Sequence, residues 1–171
     1  MPIIVPDRVT NKETVEDDPR ARALYAELPR LKESARGLEY LRQCRVTRIE
    51  CFLFDDQPFE RESDIRGLIA LSTNAGIVGC REFAVPRSGL KGDLVMWAAP
   101  FQRLKGMNVL ESLRFPQLKS ETWGADRAAL IESALADILD QAAGRVTDGR
   151  ERRDLVDREG LFGHAQAYVT F

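Results

Sequence analysis

The side chains able to do chemistry are few and scattered. One histidine, His164, stands near the C-terminus, with no serine, cysteine or acid spaced to form a nucleophile or relay with it. A lone histidine of this kind reads as a surface or structural residue. Residues 55–64, DDQPFERESD, carry five acids and one arginine. These acids come from a single segment without EF-hand spacing or supporting ligands, so no bound divalent ion is expected. Residues 86–92 place Arg87 and Lys91 beside Ser88, Gly89 and Gly92. A phosphate cradle needs a glycine-rich turn that runs straight into a helix N-terminus. SGLKG meets this only in part and reads as an ordinary connection. Cys44, Cys51 and Cys80 are an odd set without metal-type spacing, and read as reduced, mostly buried thiols. The chain has no Walker loop, dinucleotide fingerprint, CxxC or histidine pair. Residue types alone therefore assign no catalytic group and no metal ligand.

Composition narrows the classes further. The 171 residues suffice for one domain with a core plus an extension. A net charge of -2 argues against a general nucleic-acid binder, which is usually basic. The longest dense apolar run, residues 94–101, is far short of the ~20 residues a membrane span needs. The opening MPIIVPDRVTNKE lacks a basic stretch followed by a long apolar core, so a cytoplasmic protein is expected.

The elements that must position any site group around residues 45–85. Three β-prone runs, 45–54, 65–73 and 77–85, are separated by a charged loop and by Thr73-Asn74-Ala75-Gly76. The latter is a tight turn signal, because Asn and Gly accept positive φ at little cost. In the first run Ile49, Cys51 and Leu53 alternate with Arg48, Glu50 and Phe52. The pattern predicts a three-stranded antiparallel meander. Residues 126–143 repeat Leu130, Ile131, Ala134, Leu135, Ile138, Leu139 and Ala142 at helical spacing, with Gly144 as the expected cap. That amphipathic helix should cover the sheet. Asp93 should cap a helix that runs to about Lys105 and breaks at Pro100. A short helix is expected over 109–114, stopped by Pro116. Upstream, Leu24, Leu28, Leu31, Ala35 and Leu38 mark a helix within residues 14–44, interrupted by Pro29. Its stripe could dock on its own domain or be offered to another subunit. Residues 145–159 read as a charged linker or frayed helix, and 163–171 as one more strand. The fold class is α+β, a three-stranded meander covered by helices. The division is 1–44 arm and helix, 45–144 main domain, and 145–171 linker and strand.

Several short signatures, taken in order, resemble the N-terminal capping domain of the enolase superfamily, in its mandelate racemase and muconate-lactonizing branch. VTRIECFLF is similar to that domain's first strand, and Thr73, Gly76, Gly79 and Glu82 match its hairpin signature. ADRAALIESALADILDQAAG resembles its last helix, and GHAQAYVTF the start of the barrel's first strand. Two departures stand out. Arg81 occupies a place where the family usually has Gly. The helix within 14–44 has no counterpart. The resemblance implies a cap that closes over a separate barrel, whose carboxylates hold magnesium and whose bases remove a proton α to a carboxylate. A barrel takes ~200 residues or more, so it cannot come from the residues after Gly144. No cofactor is therefore expected here, and magnesium only in a barrel partner.

The resemblance also names the residues that would touch substrate, which are Gln57, Phe59, Glu82 and Phe83. The first expectation is a stand-alone cap without catalysis, acting by association with itself or with a barrel subunit. Leu24, Leu28, Leu31, Leu38, Tyr168, Val169 and Phe171 would form the contact. The second is a small ligand-binding protein or enzyme that uses the cleft between sheet and helices, with Glu82, Arg81 and His164 as candidates. The third is a fragment of a racemase or cycloisomerase.

Overall fold

The three runs pair as their alternation predicts. Strands β1 (Val46–Phe54), β2 (Asp64–Thr73) and β3 (Val78–Pro86) form an antiparallel meander. The structure is a computed structural model and describes residues 35–54, 64–90, 93–148 and 158–171. The stripe residues Leu24, Leu28 and Leu31, and the loop residues Gln57 and Phe59, lie outside the described residues. The hairpin between β2 and β3 turns on Gly76 at φ 70°. The Thr73 hydroxyl donates to the Ile77 carbonyl at 3.0 Å and accepts from the Ile77 amide at 3.1 Å.

A fourth strand joins the sheet. Strand β4 (Ala167–Thr170) pairs antiparallel with β1, giving the order β3-β2-β1-β4. This adds a fourth strand to the three-stranded sheet expected, and it places the C-terminal strand, expected at an association surface, within the chain's own sheet. Backbone bonds between Phe171 and Ile49 extend the ladder, and Val169 is buried in the chain's own core. Unpaired strand edges invite pairing, and the free edge of β1 supplies the nearest partner.

The helices follow in order: α1 (Ala35–Gln43), α2 (Arg87–Leu90), α3 (Leu94–Ala98), a 3-10 helix (Ala99–Leu104), α4 (Val109–Ser112), α5 (Phe115–Trp123), α6 (Ala125–Asp148) and α7 (Arg158–His164). Asp93 caps α3 through its side chain, as expected, and the helix tightens into the 3-10 turn that contains Pro100. Two sequence expectations fail for local reasons. Pro116 starts α5 instead of stopping α4, because a first-turn proline lacks only an amide that would be unpaired anyway. Gly144 does not end α6, which runs on to Asp148. An isolated glycine inside a long, well-packed helix costs only ~1 kcal/mol.

Helix α6 lies across the inner face of the sheet. Ile131, Leu135 and Ile138 are fully buried with Ile49, Ile69 and Leu71. The close approach is at Gly79, where an added methyl would collide with the Ala134 carbonyl oxygen and with Ile138. At the turn end the layers are tied by two asparagines. Asn74 accepts from the Arg45 amide at 2.8 Å and donates to the Gln43 carbonyl at 3.0 Å. Asn108 donates to the carbonyls of Leu41 and Arg42 while capping α4 through the Leu110 amide. The Leu135→Ala or Ile138→Ala variant should lose ~2–5 kcal/mol in urea unfolding, as buried large-to-small changes do. The Gly79→Ala variant, which deletes nothing, should lose stability too, because its methyl meets helix backbone. A fully stable Gly79→Ala protein would contradict this packing.

Candidate functional site

Side chains alternate along the strands, so cross-strand partners share a face. The ladder pairs Arg66 with Ala84, Leu68 with Glu82, Phe52 with Leu68 and Phe54 with Arg66. All of these therefore occupy the outer face, opposite α6. At the end of the sheet away from the Thr73–Gly76 turn they line a cleft of about 550 Å³. Its walls are Phe54, Arg66, Leu68, Glu82, Ala84 and Leu161 of α7, and it reaches down to Gly67 and Phe83. Arg66 and Glu82 are both exposed and are diagonal neighbours across the β2–β3 ladder. Neither has an ion-pair or hydrogen-bond partner for its side chain among the described residues. The site thus offers a guanidinium and a carboxylate over an apolar floor.

The other residues expected at a site are placed differently. Phe83 points to the inner face, where its ring covers Gly67 and stacks on Trp97 at 4.8 Å and 19°. That stack continues through Phe101 and Trp123 to Phe115, so Phe83 belongs mainly to the packing. Arg81 is exposed and faces away from Glu82, because adjacent strand residues alternate. His164 is exposed in the last turn of α7, its Nδ1 2.8 Å from the Gly160 carbonyl. Glu82, Arg81 and His164 therefore do not share the face that a joint role needs. Arg66, Leu68, Phe54 and Leu161 were missed by residue-type reasoning. The signal for Arg66 was present, since a turn centred on Ala75 already fixes which β2 residues face Glu82.

Towards β4, the outer face is closed by aromatic contacts. Phe52 meets Phe162 at 5.4 Å and Tyr168 at 4.9 Å. Glu50 is only 2% exposed; its carboxylate accepts from the Tyr168 hydroxyl at 2.9 Å and lies 3.5 Å from Arg48 Nε. Burial pushes the Cys51 thiol up from its ordinary value of 9.0 to about 12, helped by the Glu50 charge. Cys80 is pushed up to about 11, mainly by burial and then by Asp137 and Glu50, against a lowering by Arg81. None of the three cysteines is in a disulfide, and Cys80 is only half-buried. Among the described residues there is no cluster of metal-ligating side chains and no helix long and apolar enough to cross a membrane.

The domain is thus an α+β unit in which α6 covers the inner face of a four-stranded antiparallel sheet, while the outer face carries α7 and a largely apolar cleft with two charged side chains. Over part of its length the chain is similar to solved structures described as mandelate racemase/muconate lactonizing enzyme. For the protein from Roseovarius nubinhibens ISM the TM-score is 0.43 at 24% identity, covering 58% of this chain and 31% of that one. For the Aspergillus oryzae structure the values are 0.42, 19%, 64% and 34%. For the Pseudovibrio sp. structure they are 0.37, 19%, 56% and 29%. The chain spans about a third of the length of the solved structures it matches. No family model and no curated protein matches the sequence.

Two outcomes follow from these environments. The Tyr168→Phe variant should lose ~1.5–3 kcal/mol in urea unfolding, because the buried Glu50 carboxylate loses a donor. An unchanged midpoint would show that the hydroxyl bond is worth nothing. The thiols give a pH dependence whose sign is set by their raised values. Above pH 9.0 the unfolded chain releases protons that folded Cys51 and Cys80 keep until about 12 and about 11. Stability should therefore fall as pH rises through that window, with no thiol contribution below it. Thermal melts of the wild type against the Cys51→Ala/Cys80→Ala variant, across that window, check this.

Proposed function

We propose that this chain is a binding domain of the capping type, related to the mandelate racemase and muconate lactonizing enzymes, that does no chemistry alone. It acts by association with itself or with a separate barrel subunit. One observation carries the reading. The hairpin signature has four residues, and the fold uses three of them. Thr73 and Gly76 build the turn, and Gly79 admits α6. Glu82 has no such use: it is exposed, makes no side-chain bond among the described residues, and lines the cleft. A residue without a packing role at the mouth of a rigid sheet is better explained by what it binds.

The cleft supports binding rather than turnover. Metal-assisted removal of an α-proton needs a fixed metal and a placed base. Arg66 and Glu82 could orient a charged ligand but supply no metal site. Any magnesium would be the partner's. The surface available for association also differs from the one the sequence suggested, because Val169 is buried within the chain and Tyr168 packs on Phe52. The open end of the sheet, around Glu82 and Ala84, is the better candidate.

Two measurements check the reading. The purified chain should exchange no α-proton of a carboxylate substrate with solvent deuterium above a protein-free control, with or without magnesium. Light scattering at ~100 μM should show a dimer or larger species, or a mixed species when a barrel protein is added. Turnover by the chain alone would overturn the non-catalytic reading. A strict monomer that binds no barrel protein would overturn association and leave a small ligand-binding protein as the better description.

A further inference from the structure

We propose that the outer-face cleft takes a small amphoteric ligand, with an anionic carboxylate and an ammonium group on a short apolar body, as in a free apolar amino acid. The inference deepens the binding reading above and rests on it. Arg66 and Glu82 stand on one face, one step apart along neighbouring strands, close enough for a diagonal contact. Opposite charges so placed commonly pair with each other, yet no ion pair joins them. Among the described residues neither head group has another partner. A guanidinium holds a carboxylate through two parallel N–H bonds. A carboxylate accepts from an ammonium with equal directness.

The rest of the lining fits the remainder of such a molecule. Between and beside the two charges lie Leu68, Phe54, Ala84 and Leu161, which give an apolar floor and one side wall. A volume of about 550 Å³ is within the range of small-molecule sites and far more than a single ion needs. A simple anion would leave Glu82 facing it unfavourably. A simple cation would do the same to Arg66. A ligand with both signs satisfies both groups and adds burial of its apolar part. The charges also sit on strands paired without a register shift between β2 and β3, so their spacing is fixed by the ladder and not by a loop.

The test is a titration of the full-length chain by NMR and calorimetry with L-phenylalanine, 3-phenylpropanoate and 2-phenylethylamine. These share the ring and differ in charge. L-Phenylalanine should bind at least ~10-fold more tightly than either singly charged analogue. Arg66→Gln should weaken L-phenylalanine about tenfold and leave 2-phenylethylamine unchanged. Glu82→Gln should weaken L-phenylalanine about tenfold and leave 3-phenylpropanoate unchanged. Both side chains are exposed, so the variants should keep the wild-type melting curve. The proposal is overturned by equal affinity for all three probes, by binding that neither substitution alters, or by no binding of any probe up to ~10 mM. Tight binding of 3-phenylpropanoate alone, lost only in Arg66→Gln, would make this an organic-anion site instead. Association measured by light scattering reads the capping role separately, so failure of the ligand site is distinguishable from failure of association.

Discussion

Helix α6 can lie flat on the sheet only because Gly79 carries no side chain. A methyl there would meet the Ala134 carbonyl, and the helix would have to lift or slide. Either movement opens the seam between Ile131, Leu135, Ile138 and the inner strands, where packing is close and voids are costly. The same approach brings two polar side chains of α6 to the free edge of β3. Asp137 accepts from the Cys80 amide at 2.9 Å, and Gln141 donates to the Val78 carbonyl at 2.8 Å. The helix therefore covers the face and closes the first half of the edge in one contact. Edge strands left open invite pairing with other chains, and this one is half blocked.

The opposite edge is closed from within the chain. Strand β4 pairs with β1, and its Tyr168 hydroxyl meets the buried Glu50 carboxylate. A carboxylate this far from water needs donors, and desolvation without them would be expensive. Tyr168 thus does two jobs: its ring packs on Phe52 and Phe162, and its hydroxyl reaches Glu50. This arrangement also explains why β1 is buried on both faces from Ile49 to Leu53, although its alternation reads as one-sided.

Most of the fold was legible because its signals are local. Alternation marked β1, β2 and β3 to within a residue or two, and the 3.6 period marked α6. Asp93, Gly76 and Pro100 acted as their chemistry dictates. The failures came where local preference is permissive. Pro116 suits both a helix stop and a helix start, and Gly144 suits both a cap and an interior. The C-terminal strand was recognised but not its partner, since pairing across 118 residues between Tyr168 and Glu50 leaves no periodic trace. Of the residues expected at a site, Glu82 lines the cleft, while the Phe83 ring turns to the inner face, because one step along a strand reverses the face. Arg66 escaped because residue type alone does not reveal register.

The two ends of the sheet differ in how they are held, and that difference places the cleft. At the turn end, Asn74 and Asn108 bind the junction of α1 and β1, the Val46 carbonyl accepts from Gly106, and Thr73 locks the hairpin. Polar side chains there are committed to backbone groups. At the far end, where Phe54, Arg66, Glu82 and Ala84 meet, the ladder still fixes the backbone but the two charged side chains have no partner among the described residues. Their positions are as exact as the strands, while their charges contribute little to folding, since exposed groups without partners add almost nothing to stability. Residues in that situation can be exchanged at small structural cost. A change at Asn108 or Gly79 would instead disturb the layers themselves. The sheet is thereby divided along its length, with polar side chains tied to backbone groups at one end and the two charged side chains of the cleft at the other.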